Sequence, residues 1–97
     1  MKRIEYAAKA TADIAAIWDY TEDRWGYAQA VTYDAMIEAR IKGIAEGLVV
    51  SRSGEDIAPG LRRALAGQHV VFFREDEAAV TVVRVLHQRM DVGRAWE

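Results

Sequence analysis

Apolar and polar positions change rhythm twice along this chain. Residues 3–6 (RIEY) alternate, which predicts a short first strand. From about Ala8 to Trp25 the period lengthens. Ala10, Ile14, Ile17, Trp18, Thr21 and Trp25 recur at spacings of three and four, an apolar stripe along one side of a helix. Gly26 is a fitting stop, whereas no Ser, Thr, Asp or Asn precedes Ala8 to cap the start. A second helix is predicted over residues 27–47, with Ala30, Tyr33, Ile37, Ile41, Ile44 and Leu48 as its stripe. Gly26 alone separates the two helices, so they should fold back as an antiparallel hairpin.

Residues 49–60 (VVSRSGEDIAPG) concentrate turn formers, hold the sole proline and predict a loop. Beyond it the period falls to two. Residues 61–66 predict a strand, Gly67-Gln68 a tight turn, HVVFFRE a second strand, residues 75–77 a polar turn and AAVTVVRVLH a third, long strand. Strands joined by such short turns make an antiparallel meander, and the density of Val and Phe in the last two implies central, buried positions. The tail, DVGRAWE, predicts a turn of helix capped by Asp91, with Trp96 folded back. The order is β-αα-βββ, an α+β class fold in which a helical hairpin packs on one face of a small antiparallel sheet, as a single domain over residues 1–97.

Composition narrows the chemistry. With 52% apolar and 29% charged residues the chain has the make-up of an ordinary globular protein. It has no cysteine, which removes disulfides, thiol nucleophiles and thiolate metal sites, and fits a reducing cytoplasm. Two histidines, His69 and His87, are too few for an all-histidine metal site; a His plus carboxylate site stays open, but nothing like HExxH is present, and no metal or cofactor is expected. No stretch approaches the roughly 18–20 apolar residues of a membrane span, and none forms the apolar core of a signal peptide. A net charge of −2 argues against broad, phosphate-driven DNA binding. Charge is uneven, however: residues 1–60 carry 7 basic and 10 acidic side chains, residues 61–97 carry 6 and 5, and those six are all Arg. Arginine suits planar, multi-donor contacts to phosphate or carboxylate.

No GxSxG, P-loop or GxGxxG occurs, and Ser51 and Ser53 lie in the loop. The carboxylate pairs Glu22-Asp23, Glu55-Asp56 and Asp76-Glu77 fall at a helix end or in turns, where solvated charge is the ordinary role. Trp18, Trp25, Tyr27 and Tyr33 lie on or beside the helix stripes and read first as core. Tyr20, Val31 and Met36 fall off the stripes, which points either to an exposed apolar strip for a partner or to a wide core. RVLHQRMD, residues 84–91, carries the densest chemistry. Simple alternation sets Arg84 on one face with Val80, Val82 and Leu86, to be held by a carboxylate or carbonyls or left open in a concave surface. His87 ends the strand, and its relation to His69 depends on the register. An imidazole beside an arginine is compatible with RNA cleavage, with structural use, or with partner binding. Cleavage wants a second proton-transfer group, and no Lys follows Lys42.

Three stretches, "ADIAAIWDYTEDRWG", "APGLRRALAGQHVVFFR" and "VRVLHQRMD", in that order and with these gaps, together resemble the ParE toxins of the RelE/ParE superfamily. They sample the whole chain, and the family's β-αα-βββ order agrees with the pattern above. The resemblance implies a toxin that inhibits DNA gyrase and blocks replication, neutralised by a ParD-type antitoxin, with no catalytic residues and no direct sequence-specific DNA binding. The RelE-like branch instead cuts mRNA on the ribosome with basic residues on the sheet. Set against that branch, Gly60 and Arg62 fall in the region of its two lysines, Arg89 where it keeps an arginine, and Ala95 where it keeps a tyrosine, with Trp96 adjacent. The missing lysines favour an inhibitor. His87, Arg62 and Arg89 are the working residues of the ribonuclease alternative. The resemblance also implies an antitoxin tail that lies along the hairpin and adds a strand to an open sheet edge, a contact for which Tyr20, Arg24, Val31 and Met36 are the candidates. The target surface is expected at Arg84, His87, Gln88, Arg89 and Trp96.

Overall fold

The computed structural model describes residues 1–96. Ala8–Trp25 forms α1, after the strand β1 (Arg3–Tyr6), and buries Ala10 and Thr21, with Ile14 and Ile17 packed on the core. Tyr27–Ala45 forms α2 and buries Ala30, Ile37, Ile41, Ile44 and Ala45. Gly26 alone joins them at φ +93°, giving its N–H to Glu22 O and accepting Ala30 N–H, so one residue closes the first helix and opens the second. The predicted hairpin is therefore present, with two corrections to its stripes. Trp25 is 68% exposed and Leu48 77% exposed. Trp25 lies in the last turn beside the connection, and Leu48 lies past the helix end. That end comes at Ala45: Gly47 turns left-handed at φ +75°, and Leu48 N–H reaches Gly43 O while Gly47 N–H reaches Ile44 O.

The remaining elements are β2 (Arg52–Ser53), β3 (Arg62–Ala66), β4 (His69–Glu75), β5 (Ala79–His87) and a short α3 (Val92–Ala95). They form one sheet in the order β1-β5-β4-β3-β2. β3, β4 and β5 are the expected antiparallel meander, but β1 lies parallel to β5, with Ile4 opposite Val80, so the sheet is mixed. Residues 49–60 are not wholly loop either, because β2 pairs Arg52 with Arg63 and Ser53 with Arg62. Two residues bounded by turn formers leave no alternation long enough to signal a strand.

β5 holds the departure that matters most for the site. Phe72 pairs with Arg84, yet Phe73 pairs with Val82, so Val83 is an extra residue and the strand bulges there. Val80, Val82 and Val85 consequently face the helices with Val71 and Phe73, while Leu86 joins Leu61 and Phe72 in a second cluster on the other face. The single face expected for Val80, Val82, Arg84 and Leu86 is overturned, because strict alternation fails across a bulge. The second cluster is closed by the tail as expected: Trp96 folds back onto Phe72, ring centres 5.3 Å apart. Asp91 occupies the position before α3 but its side chain makes no capping bond.

Candidate functional site

The register that the sequence leaves open sets His69 directly opposite His87, with their rings edge to face at 5.2 Å. Gly67, at φ +61°, makes the turn that delivers His69, and an added Cβ there would sit 2.6 Å from Met36 Cε and 2.9 Å from Tyr33 Oη. α2 is thus packed hard against the turn. Tyr33 Oη accepts Gln68 N–H at 2.9 Å and lies 2.6 Å from His69 Nδ1. Burial, helped by the neighbouring His87, lowers the His69 pKa below the usual histidine range. The neutral ring and the tyrosine hydroxyl share a hydrogen bond at Nδ1. Burial likewise raises the Tyr33 pKa, opposed by the Gln68 N–H. On the other strand, Arg89 N–H donates to His87 Nδ1 at 3.1 Å. Gln88 bonds Gln68 through both main chain and side chain, at 2.9 and 2.7 Å.

The depressed His69 pKa sets a pH dependence. The unfolded chain binds a proton near pH 6.5 that the folded chain resists, so stability is complete above that pH and falls as pH drops below it. Thermal unfolding followed from pH 8 to 5 should show this decline, and His69→Gln should flatten it. An unchanged slope in the variant would assign the acid sensitivity to other groups.

Arg84 is held on two sides. Its Nε and Nη2 donate to Asp13 at 2.7 and 2.9 Å, and its Nη1 donates to Ala95 O at 2.7 Å. Asp13 also accepts Val85 N–H at 2.9 Å. The reason is topological. β1 covers the outer edge of β5 up to Val82, where Ala7 N–H still bonds Val82 O, and α1 then leaves the sheet. Asp13 takes over the next main-chain donor on that edge. Both side chains are about 15% exposed, and the hydrogen bond to Asp13 raises the Arg84 pKa further. Arg84 thus ties α1, β5 and the end of α3 together.

Beside this pair a cleft of about 350 Å³ opens between α1 and the free edge of β5, lined by Ile17, Tyr20, His69, His87 and Met90 above the Asp13–Arg84 pair. Gln88 and Arg89 lie exposed at its rim, whereas Trp96 lies on the opposite face of the sheet over Phe72. Arg62 is four residues from Ala66, the partner of His69, or ~13 Å along β3. It is held there by Ser51, through Oγ at 3.1 Å and O at 3.0 Å. The proposed trio of His87, Arg62 and Arg89 is therefore not assembled.

On the hairpin, Tyr20 is 60% and Val31 42% exposed, and Arg24 lies 5.5 Å over the Tyr20 ring. Met36 does not join this strip: it is half-buried against the core and touches the Gly67 turn. Asp13, Tyr33 and Gln68 are site residues that the sequence reading did not single out. Asp13 carried a signal, since it lies three residues after Ala10 and four before Ile17, a carboxylate on an apolar stripe. No group of three or more His, Asp or Glu is placed to hold a metal among the described residues, and no helix is long and apolar enough to cross a membrane.

Residues 4–92 match the family model described as ParE toxin of type II toxin-antitoxin system, parDE. Toxin ParE1 of Caulobacter vibrioides is 41% identical over 91 residues, covering 94% of each chain. Toxin ParE1 of Mycobacterium tuberculosis is 44% identical over 86 residues, covering 88% of each. A solved structure of the chromosomal ParDE toxin-antitoxin system from P. aeruginosa superposes with a TM-score of 0.76, over 90% of this chain and 96% of that one, at 22% identity.

Proposed function

The chain belongs to the ParE toxin family of type II toxin-antitoxin systems, and from that premise we propose that it inhibits DNA gyrase in the cytoplasm, without catalysis, and is neutralised by a ParD-type antitoxin. The observation that carries the non-catalytic part is the separation of Arg62 from His87. A ribonuclease site on this sheet needs phosphate-stabilising and proton-transfer groups around one substrate. Here Arg62 is committed to Ser51 at the far end of β3, and His87 faces His69, whose pKa is depressed. What remains at the strand end is a contact surface of His87, Gln88 and Arg89. Arg84 contributes by holding β5 and α3 in place, and Trp96 by closing the face beneath. The antitoxin contact is assigned to Tyr20, Arg24 and Val31 on the hairpin, with Met36 supporting it from below.

Arg89 separates contact from scaffold, since its side chain is exposed. Arg89→Ala should weaken growth inhibition markedly while antitoxin affinity, read by calorimetry, stays within about threefold of wild type. Parallel loss of both would show that Arg89 supports the fold instead.

A further inference from the structure

We propose that the groove beside Val50 binds a small organic phosphate of nucleotide size, with Arg40, Arg52 and Arg63 on its phosphate groups and Leu65 and Val70 beneath its body. The pairing of β2 with β3 sets Arg52 directly opposite Arg63, so both guanidinium groups leave the same face of the sheet. Residues opposite each other on antiparallel strands bring their Cβ atoms to ~5 Å, and like charges placed there repel. Arg62, one position along, takes no part. It lies on the face of Ala64 and Ala66, toward the helices, and is held by Ser51.

The chain supplies little to neutralise this pair. Arg52 makes no hydrogen bond or ion pair with any described residue. Arg63 meets Asp56 at 3.3 Å, an exposed bridge that water screens, and Glu55 is turned instead to Gly60 N–H at 2.8 Å. Arg40 enters from α2 and commits only Nε, to Leu65 O at 2.7 Å, which leaves both Nη groups without a partner among the described residues. The groove has a volume of about 460 Å³, and no carboxylate lines it, in a chain whose net charge is −2. Guanidinium forks match phosphate oxygens, so one phosphate group between Arg52 and Arg63 turns a repulsive pair into two charge-assisted contacts. The floor selects an organic phosphate over an inorganic one. Val50 is 91% and Leu65 55% exposed, and a ligand body that covers them removes apolar surface from water. A nucleic-acid strand would need a longer basic path and aromatic platforms for successive bases, and neither lines the groove. The groove stands apart from the hairpin strip and from the histidine cleft, so this site is independent of the gyrase reading.

The probes are ATP, inorganic triphosphate and oligothymidylate, titrated onto the full chain and followed by calorimetry and amide shifts. ATP should bind saturably, with shifts centred on Arg52, Arg63 and Leu65. It should bind at least about fivefold more tightly than triphosphate, a margin that the apolar floor supplies. Arg52→Gln should lower ATP affinity at least about tenfold. The unfolding temperature of the free variant should stay equal or rise, because the repulsion across the strands is relieved. Val50→Asp, which sets a carboxylate in the groove, should weaken ATP binding to a similar degree. Absence of saturable ATP binding would overturn the proposal, as would wild-type affinity in both variants. So would triphosphate binding as tightly as ATP, shifts centred on the hairpin or the histidine cleft, or oligothymidylate displacing ATP from the groove.

Discussion

Asp13→Ala should cost the fold about 3–5 kcal/mol, the largest loss expected from any single polar substitution in this chain. The carboxylate accepts three hydrogen bonds, two from Arg84 and one from Val85 N–H, and its removal strands both donors in a largely dry position. Against a total stability of ~5–15 kcal/mol for a domain of this kind, such a loss removes a sizeable fraction of the stability. Arg84→Met should cost a comparable amount. The double variant should recover part of the sum, because neither residue is then left as an unpaired charge. Urea unfolding of the four proteins measures this directly. A loss below about 1 kcal/mol for Asp13→Ala would place the pair among ordinary surface bridges and remove the argument that Arg84 is scaffold.

The second large effect is on partner binding. Tyr20→Glu, and separately Val31→Glu, should weaken antitoxin affinity at least about 30-fold, the size expected when a central aromatic or aliphatic anchor is replaced by a charge. Both positions are exposed on the hairpin, so folding and toxicity should survive, and cells should lose protection by the antitoxin. Trp25→Ala, equally exposed but in the last turn of α1, is the control that tells a specific anchor from general apolar surface. If the charged variants are neutralised as efficiently as wild type, the antitoxin contact lies elsewhere.

Much of this was legible in the residues, and the failures have physical causes. The two helices, their single-glycine turn and the three-strand meander follow from periods of 3.6 and 2. The fold-back of Trp96 was readable because the tail is the one apolar segment left after the sheet. The parallel pairing of β1 was not readable, since four residues carry no sign of their neighbour or its direction. The bulge at Val83 was invisible for a related reason: in a run of Val, moving every side chain by one leaves the pattern apolar. That one displacement took Arg84 off the face of Val80 and Val82, while its hold by a carboxylate and a carbonyl, Asp13 and Ala95 O, is one that the residues had offered. The facing of His69 and His87 needed the register, which the Gly67-Gln68 turn sets. Arg62 looked close to His87 only through analogy with a related branch, and the length of β3 keeps them apart.

The most direct test of the central claim is to express the chain without antitoxin and score chromosomal breaks and the SOS response beside mRNA cleavage in a translating extract. Broken DNA with intact message is the result expected of a gyrase inhibitor. Codon-specific cuts in message with an unbroken chromosome would contradict the account and return the strand end at His87 to the role of an active site.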